Sequence, residues 1–268
     1  MTEMYEKIKN KVIEIVKQAS KIMKKADFSV KQKDGAINVV TSADLETQQY
    51  LCEKLKKLLP GSGFYCEEEG LKDTRQEYIW VIDPIDGTTN YTRGISEFAI
   101  SVGLLHKKEA VVGVVYVPFK DEMFSAVKGG GAWLNGKPIR VSEKTFGESL
   151  FCTAMSLYKK SLAPVCMQII MEAYESCNDF RRFGACSVEL CYLAAGKCDL
   201  FFEIRVFPWD YAGAFVVLKE AGGVIKGFDQ KELSFDETTP VIAANNAENY
   251  ERLNGIVKKY MKEVPYKE

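Results

Sequence analysis

Apolar residues recur at helical spacing in two N-terminal segments. Between residues 5 and 23 they fall every three or four positions, and a similar pattern runs from Ser42 to Leu59. Such spacing places apolar side chains on one face and predicts two amphipathic helices. The polar stretch between them, Phe28 to Asn38, is predicted to be a loop. These helices are expected to be scaffold leading to an acidic segment, Glu67 to Glu69.

The middle of the chain is rich in β-branched and aromatic residues. The run from Tyr78 to Ile82 predicts a buried strand, which Pro84 and Gly87 are expected to end. Antiparallel strands separated by charged or Gly/Pro turns are predicted at 98–105, 110–116, 122–127 and 132–134. The second half is predicted to be mixed, with helices at 162–175 and 187–195, a strand at 197–203, and a helix from Asp210 to Gly222.

Two carboxylates stand where the strand of residues 78–82 is expected to end. Asp83 and Asp86 are followed at once by Gly87, Thr88 and Thr89. Open α/β sheets bind ligands in the crevice at the carboxyl ends of their strands. Gly87 lets backbone approach a ligand closely, and Thr88 or Thr89 can cap a short helix whose unpaired N–H groups favour an anion. Oxygen ligands beside an anion site are typical of Mg²⁺ bridging to a phosphate.

Further acidic residues help to decide between a metal site and ordinary turn chemistry. An isolated Asp-Gly pair usually indicates only a turn. Here Glu67 and Glu68 precede the strand, and Asp210 lies at another predicted junction between a strand and a helix. Clustered carboxylates repel one another and raise one another's pKa, so such a cluster indicates a bound cation. For Asp210 the alternative role is a helix N-cap, which contributes about 1 kcal/mol of stability.

The sequence resembles the inositol monophosphatase family of Mg²⁺-dependent, lithium-sensitive phosphomonoesterases. The matching blocks are Glu67-Glu68, the run from Trp80 to Asn90, and Trp209 to Gly213 with Glu220 to Gly223 behind it. The resemblance covers nearly the whole chain and implies a mixed α+β (α/β) fold, a layered α-β-α-β-α sandwich. We expect two closely packed subdomains, residues 1–145 with most metal ligands and residues 146–268 with Asp210 and the substrate pocket. Members are commonly homodimers, so a homodimer is expected.

The resemblance also implies a role for each matching residue. The implied metal ligands are Glu67, Asp83, Asp86, Asp210 and the main-chain carbonyl of Ile85. They would bind about two Mg²⁺ ions, or three, and a metal-activated water would attack the phosphate directly. Gly87 and Thr88 would bind the phosphate through backbone N–H groups. The Thr88 hydroxyl would orient the water, held by a carboxylate that the family usually assigns to Glu67, with Asp44 further out. Lys33 matches a loop lysine that approaches the site.

The part of the pocket that receives the rest of the substrate matches the family less closely. Glu203 matches a position that holds inositol ring hydroxyls, and Gly184, Ala185 and Cys186 match a loop of the same pocket. Arg205 is an added charge, which either binds a second phosphate or pairs with a surface carboxylate. The expected activity is hydrolysis of inositol monophosphate or a related sugar or polyol phosphate. Two alternatives stay open: a bisphosphatase acting on fructose 1,6-bisphosphate or a phosphoadenosine nucleotide, and a regulatory protein that binds a macromolecular partner.

Composition excludes several other classes. The chain of 268 residues has 36 basic and 37 acidic residues, so no strongly basic face and no direct nucleic-acid binding are expected. A single histidine argues against a multi-histidine zinc site or a Ser-His-Asp hydrolase. The 8 cysteines show no C-x-x-C spacing and are expected to be reduced thiols. No apolar run approaches the ~18 residues of a membrane span and no signal peptide follows Met1, so a cytoplasmic protein is expected.

Overall fold

The amphipathic N-terminal segments form two helices that pack on one face of a large sheet. The computed structural model describes residues 1–23, 30–32, 39–155, 159–262 and 264. Helices α1 (Thr2–Met23) and α2 (Ser42–Leu58) confirm the predicted pair. Between them, β1 (Val30–Gln32) and β2 (Val39–Thr41) pair antiparallel, so the predicted loop contains a strand. The rest of that loop, including Lys33, lies outside the described residues.

The middle of the chain forms a sheet in which nearly all neighbouring strands are antiparallel. Its strands are β3 (Gly63–Cys66), β4 (Lys72–Asp73), β5 (Tyr78–Asp86), β6 (Ala99–His106), β7 (Glu109–Val117), β8 (Glu122–Val127), β9 (Ala132–Leu134) and β10 (Lys137–Ile139). The order across the sheet is β10-β9-β8-β7-β6-β5-β3-β4, and only β3 and β5 are parallel neighbours. The four strands predicted between residues 98 and 134 are confirmed.

Strand β5 does not end where the sequence predicted. It continues through Pro84 to Asp86, and its pairing with β6 shifts register between Asp83 and Asp86. Proline has no N–H to donate to a ladder, and a local irregularity in the pairing is where a strand tolerates it. Asp83 and Asp86 are therefore both strand residues, and both are buried. Helix α3 (Thr88–Arg93) follows immediately after Gly87.

The second half of the chain forms a smaller mixed sheet and four helices among the described residues. The strands are β11 (Leu150–Ala154), β12 (Asp179–Arg181), β13 (Leu200–Val206), β14 (Val224–Gly227) and β15 (Thr239–Ala244), in the order β12-β11-β13-β15-β14. The helices are α4 (Ala163–Tyr174), α5 (Cys186–Ala194), α6 (Pro208–Glu220) and α7 (Ala247–Met261). Short 3₁₀ helices lie at Glu68–Gly70, Phe146–Glu148, Lys160–Leu162 and Phe228–Gln230.

The elements stack in five layers, which confirms the predicted sandwich. Helices α1 and α2 cover one face of the larger sheet, α5 and α6 lie between the two sheets, and α4 and α7 cover the outer face of the smaller sheet. A buried apolar cluster lies in each of the three zones that contain helices. No described helix combines the length and apolar character needed to cross a bilayer. All eight cysteines lie in the described residues and none forms a disulfide.

Helix α6 packs against the larger sheet through unusually close backbone contacts. A Cβ atom added at Gly113 of β7 would lie 2.1 Å from the carbonyl oxygen of Gly213 in α6. At Gly103 of β6, an added Cβ would lie 2.9 Å from the Cβ of Ala212. Contacts this short admit no side chain, so glycine at these positions sets the distance between helix and sheet. That distance fixes the position of Asp210, which lies in the first turn of α6.

We therefore expect Gly113→Ala to destabilise the protein by about 1–3 kcal/mol, because a methyl group must push α6 away from β7. Gly255→Ala, in the exposed interior of α7, is the matched control because an added Cβ there meets nothing within 4 Å. It should stabilise the protein by about 0.5–1 kcal/mol, the usual difference between alanine and glycine in a helix. Urea unfolding of both variants gives the comparison. Equal stability of the two would contradict this account of α6 packing.

Candidate active site

A cavity of about 180 Å³ opens at the end of β5, between the two sheets. Its lining includes five acidic side chains, those of Glu67, Asp83, Asp86, Glu203 and Asp210. It also includes Ile85, Gly87, Thr88, Thr89 and Asn90 after β5, and Gly184, Ala185 and Cys186 before α5. The remaining lining residues are Ala154, Met155 and Arg182. The fold thus brings together residues that lie up to 143 positions apart in the sequence, Glu67 and Asp210.

Backbone N–H groups orient the carboxylates of Asp83 and Asp86. The Ile85 N–H donates to Asp83 Oδ1 at 2.9 Å, and the Ser187 N–H donates to Asp86 Oδ2 at 2.7 Å. The Ser187 hydroxyl donates to the same Asp86 oxygen. A carboxylate has two oxygens, so a side chain anchored in this way keeps an oxygen that can bind a cation. Ser187, which the sequence analysis did not identify, is therefore a positioning residue for Asp86.

Asp210 is the third residue of α6, not its first residue or its N-cap. Helix α6 begins at Pro208, a residue suited to the first turn because its missing N–H would be unpaired there. The Phe207 N–H donates to Asp210 Oδ2 at 2.8 Å, so the side chain folds back over the start of the helix. Asp210 therefore contributes to capping from inside the first turn while its carboxylate lines the cavity.

Burial and mutual repulsion raise the pKa values of these carboxyls. The pKa of Asp83 lies well above its usual value, first because of burial and then because of Glu67, Asp86 and Asp210. Burial likewise raises the pKa of Asp210, with Asp86 and Glu67 adding to it. For Asp86, burial raises the pKa to about 6 although the Ser187 hydrogen bonds oppose the rise. Ionising all of them together is therefore unfavourable unless a positive charge lies among them.

The donor set fits a hard divalent cation. Carboxylate and carbonyl oxygens are the ligands that Mg²⁺ prefers, and the repulsion within a cluster of carboxylates is what such an ion compensates. Among the described residues, no group of three or more His, Cys, Asp or Glu side chains is already arranged as a ready-made metal cage.

The turn after β5 depends on glycine. Gly87 has φ 87° and ψ 39°, a left-handed conformation, and it is the N-cap of α3. The prediction that Thr88 or Thr89 caps this helix was therefore wrong, and Thr88 is instead its first residue. A Cβ at Gly87 would lie 3.0 Å from both the Ala185 Cβ and the Glu97 carbonyl oxygen. Glycine is required here by the backbone conformation and by close contact with the loop before α5.

The Thr88 hydroxyl lies between the cavity and helix α2. It is 3.4 Å from Asp44 Oδ1 and 3.0 Å from the Ile85 carbonyl oxygen, and it can donate its proton to either. The other oxygen of Asp44 accepts from the N–H and the hydroxyl of Thr41, in a capping box at the start of α2. Asp44 is fully buried and lies behind Thr88 without lining the cavity. Helix α2 thus places a fixed acceptor behind the hydroxyl.

Gln48 is a positioning residue that the sequence analysis missed. Its side-chain amide donates to the Glu68 carbonyl at 2.9 Å, and its Oε1 accepts from the Glu68 N–H at 2.9 Å. The neighbouring Glu67 N–H donates to the Ile82 carbonyl at 3.2 Å. Gln48 lies one helical turn after Asp44, so the same face of α2 supports both Thr88 and the segment of Glu67. The helical spacing of Asp44 and Gln48 was the available signal.

The loop before α5 forms the other wall of the cavity. Glu189 Oε1 accepts from the N–H groups of Phe183 at 2.6 Å and Gly184 at 2.9 Å. The Asn90 side-chain amide donates to the Phe183 carbonyl at 2.7 Å and to the Glu97 carbonyl. Burial raises the pKa of Glu189 to about 8, against the effect of its two N–H donors. The loop is therefore held by Glu189 of α5 on one side and by Asn90 of α3 on the other.

The predicted substrate-binding residues divide into two groups. Gly184, Ala185, Cys186 and Glu203 line the cavity. Burial first, then Asp210 and Glu189, raise the pKa of Glu203 well above its usual value. Arg205 is not among the lining residues, and its guanidinium instead lies 5.1 Å from the centre of the Phe207 ring. Among the described residues, the cation that lines the cavity is Arg182, which the sequence analysis did not identify as a site residue.

Comparisons with known proteins identify the family of the chain. The model of the inositol monophosphatase family matches residues 1–262. Inositol monophosphatase 3 of Solanum lycopersicum is 35% identical over 244 residues, which is 88% of this chain and 90% of that protein. Nus factor SuhB of Escherichia coli (strain K12) is 36% identical over 196 residues, covering 72% of this chain and 73% of the relative. The crystal structure of the extragenic suppressor protein suhB from Bartonella henselae superposes with a TM-score of 0.86 at 28% identity, covering 94% of this chain and 98% of that one. The chain belongs to the inositol monophosphatase family.

Proposed function

We propose that this protein is a Mg²⁺-dependent phosphatase that hydrolyses a phosphate monoester of a small polyol, such as an inositol monophosphate or a related sugar phosphate. The observation that carries the proposal is the cavity in which Glu67, Asp83, Asp86 and Asp210 lie beside the glycine turn at the start of α3. Membership of the inositol monophosphatase family supports the phosphatase chemistry.

In this proposal the acidic end of the cavity binds the metal and the phosphate. Glu67, Asp83, Asp86, Asp210 and the Ile85 carbonyl would hold Mg²⁺, which supplies charge neutralisation and a water of lowered pKa when bound. The first N–H groups of a helix have no partner within it, so those of Gly87 and Thr88 are suited to bind phosphate oxygens. The Thr88 hydroxyl would orient the attacking water while it donates its own hydrogen bond to Asp44. This arrangement requires no covalent enzyme intermediate.

The remaining lining of the cavity would receive the alcohol part of the ester. It includes the Glu203 side chain together with Gly184, Ala185 and Cys186. A carboxyl at this position can bind hydroxyl groups of a polyol in either protonation state, because both states accept hydrogen bonds. The lining combines a small apolar surface with polar groups, which suits a compact ring that carries hydroxyls.

Phosphate release from a panel of monoesters tests the proposal. The panel contains myo-inositol 1-phosphate, fructose 1-phosphate and glycerol 2-phosphate, each assayed with Mg²⁺ and with excess chelator. We expect release with Mg²⁺, its loss on chelation, and full recovery when Mg²⁺ is restored. Activity that persists in chelator would overturn the metal mechanism. If no ester is cleaved in the presence of Mg²⁺, the alternative of a partner-binding protein of the same fold gains support.

A further inference from the structure

Two of the eight cysteine thiols meet beside the segment that carries Glu67. The Sγ atoms of Cys52 in α2 and Cys66 in β3 lie 3.8 Å apart, and either thiol can donate to the other. A disulfide bond is about 2.0 Å long, so joining these sulfurs requires them to approach by about 1.8 Å. The pair is therefore placed for oxidation to a disulfide through a local movement.

Cys52 is the thiol of this pair that a reagent in solution can reach. Among the eight cysteines, Cys52 and Cys177 are partly exposed and the other six are buried. Cys66 is 1% exposed, so it reacts through Cys52 rather than with the solution. Cys152 and Cys198 also interact, but both are buried and neither offers an entry. An accessible thiol in contact with a buried one suits thiol–disulfide exchange.

Cys52 belongs to the face of α2 that supports the acidic cavity. Asp44, Gln48 and Cys52 are spaced four residues apart, so they follow one another along one side of the helix. Asp44 lies 3.4 Å from the Thr88 hydroxyl, and Gln48 holds both backbone groups of Glu68. The contact of Cys52 with β3 is therefore the third contact between this helix face and the surroundings of the site.

A displacement of Cys66 toward α2 acts directly on Glu67. Cys66 is the last residue of β3 and pairs with Ile82 of β5, and the N–H of the next residue, Glu67, donates to the Ile82 carbonyl. The Glu67 carboxylate lines the cavity. Drawing the end of β3 toward α2 strains this hydrogen bond and moves the carboxylate from its place. Metal ligands depend on such supporting contacts for their geometry.

We propose that Cys52 and Cys66 are a modification site, at which a small-molecule disulfide oxidises them to a reversible disulfide that weakens Mg²⁺ binding in the acidic cavity. The Cys52 sulfur attacks one sulfur of the reagent, forms a mixed disulfide and releases one thiol. The Cys66 sulfur then attacks the Cys52 sulfur and releases the second thiol. The protons of the two cysteines leave on the released thiols. This inference rests on the proposed function, because it concerns regulation of the same site.

The test uses glutathione disulfide as the oxidant and dithiothreitol as the reductant. Peptide mapping by mass spectrometry identifies the bond, and thermal unfolding across a Mg²⁺ titration measures metal binding in the reduced and oxidised protein. We expect a Cys52–Cys66 disulfide and a rise of about 10- to 100-fold in the Mg²⁺ concentration that gives half of the Tm increase, the range for a disturbed support of a metal ligand. Release of phosphate from myo-inositol 1-phosphate should show the same shift, and dithiothreitol should reverse both.

Cys52→Ser and Cys177→Ser are the paired variants. After oxidation, Cys52→Ser should keep the Mg²⁺ response of the reduced wild-type protein. Cys177→Ser should shift like the wild type, because the Cys177 thiol contacts the Asp179 carbonyl and no other cysteine. The outcomes that would overturn the inference are a mixed disulfide that never passes to Cys66, a bond that leaves the Mg²⁺ response unchanged, and a shift that persists in Cys52→Ser. A reduced protein that binds Mg²⁺ but cleaves no ester would refute the proposed function alone, whereas one that does not respond to Mg²⁺ would refute both.

Discussion

Replacing Asp83 by asparagine is expected to stabilise the metal-free protein while abolishing its Mg²⁺-dependent activity. Asp83 is buried beside Glu67, Asp86 and Asp210, and burial and these carboxylates raise its pKa. Asparagine has nearly the same shape, and its side-chain oxygen can still accept from the Ile85 N–H. The substitution therefore removes a buried negative charge without opening a cavity. The free energy of unfolding of the metal-free protein should therefore rise, in the direction that the raised pKa of Asp83 sets.

The gain should depend on pH in a defined direction. A carboxyl whose pKa is raised by folding stabilises the native state fully only below its unfolded pKa, and this contribution is lost as pH rises through the folded pKa. The advantage of Asp83→Asn over the wild-type protein should therefore be absent near pH 4 and grow toward pH 8. Thermal unfolding in chelator across this range measures it. Added Mg²⁺ should raise the Tm of the wild-type protein and leave that of the variant nearly unchanged.

The activity of Asp83→Asn should fall further than the ~10- to 100-fold that is typical when only a hydrogen-bond partner of a metal ligand is lost. Asp229→Asn is the control, because this exposed residue pairs with Lys258 and its pKa is lowered rather than raised. Its activity and its response to Mg²⁺ should match those of the wild-type protein. A metal-free Asp83→Asn protein that is less stable than the wild type at pH 8 would contradict the view that these carboxylates repel one another.

The sequence predicted the elements of the fold better than the contacts between them. Local patterns were sufficient for strands β5 to β9 and for helices α1, α2, α4, α5 and α6, because alternation and helical spacing are properties of neighbouring residues. The short strands β3, β4 and β10 and helix α7 were not predicted. Pro84 misled the prediction because the irregular pairing that tolerates it involves a second strand, β6. The cap of α3 was misassigned because threonine is the commoner N-cap residue, whereas the contacts of Gly87 with residues 97 and 185 require glycine.

The acidic residues of the site were predictable from the sequence, whereas the residues that orient them were not. Asp83 and Asp86 lie in the last four residues of β5 and Asp210 lies in the first turn of α6, close to breaks in the local pattern, so their chemistry stood out in the sequence. The groups that orient them come from distant segments, as Ser187 does for Asp86. The two arginines show the same limit. Arg205 lies two residues after Glu203, but its guanidinium lies against the Phe207 ring and does not line the cavity.

Removing the Thr88 hydroxyl should lower kcat by about 100-fold or more, within the range for a group that positions and polarises a reacting water. Thr88→Ser keeps the hydroxyl that contacts Asp44 and Ile85, so it should stay within about tenfold of the wild type, whereas Thr88→Ala should show the full loss. Both variants keep the backbone N–H, so KM should change little. Thr92→Ala is the control, because Thr92 makes a similar hydroxyl-to-carbonyl bond within α3 but does not line the cavity. Steady-state kinetics at saturating Mg²⁺ separates these cases. Equal losses of kcat in Thr88→Ser and Thr88→Ala would show that the shape of the threonine matters rather than its hydroxyl. The proposed series of hydrogen bonds from the water through Thr88 to Asp44 would then be wrong.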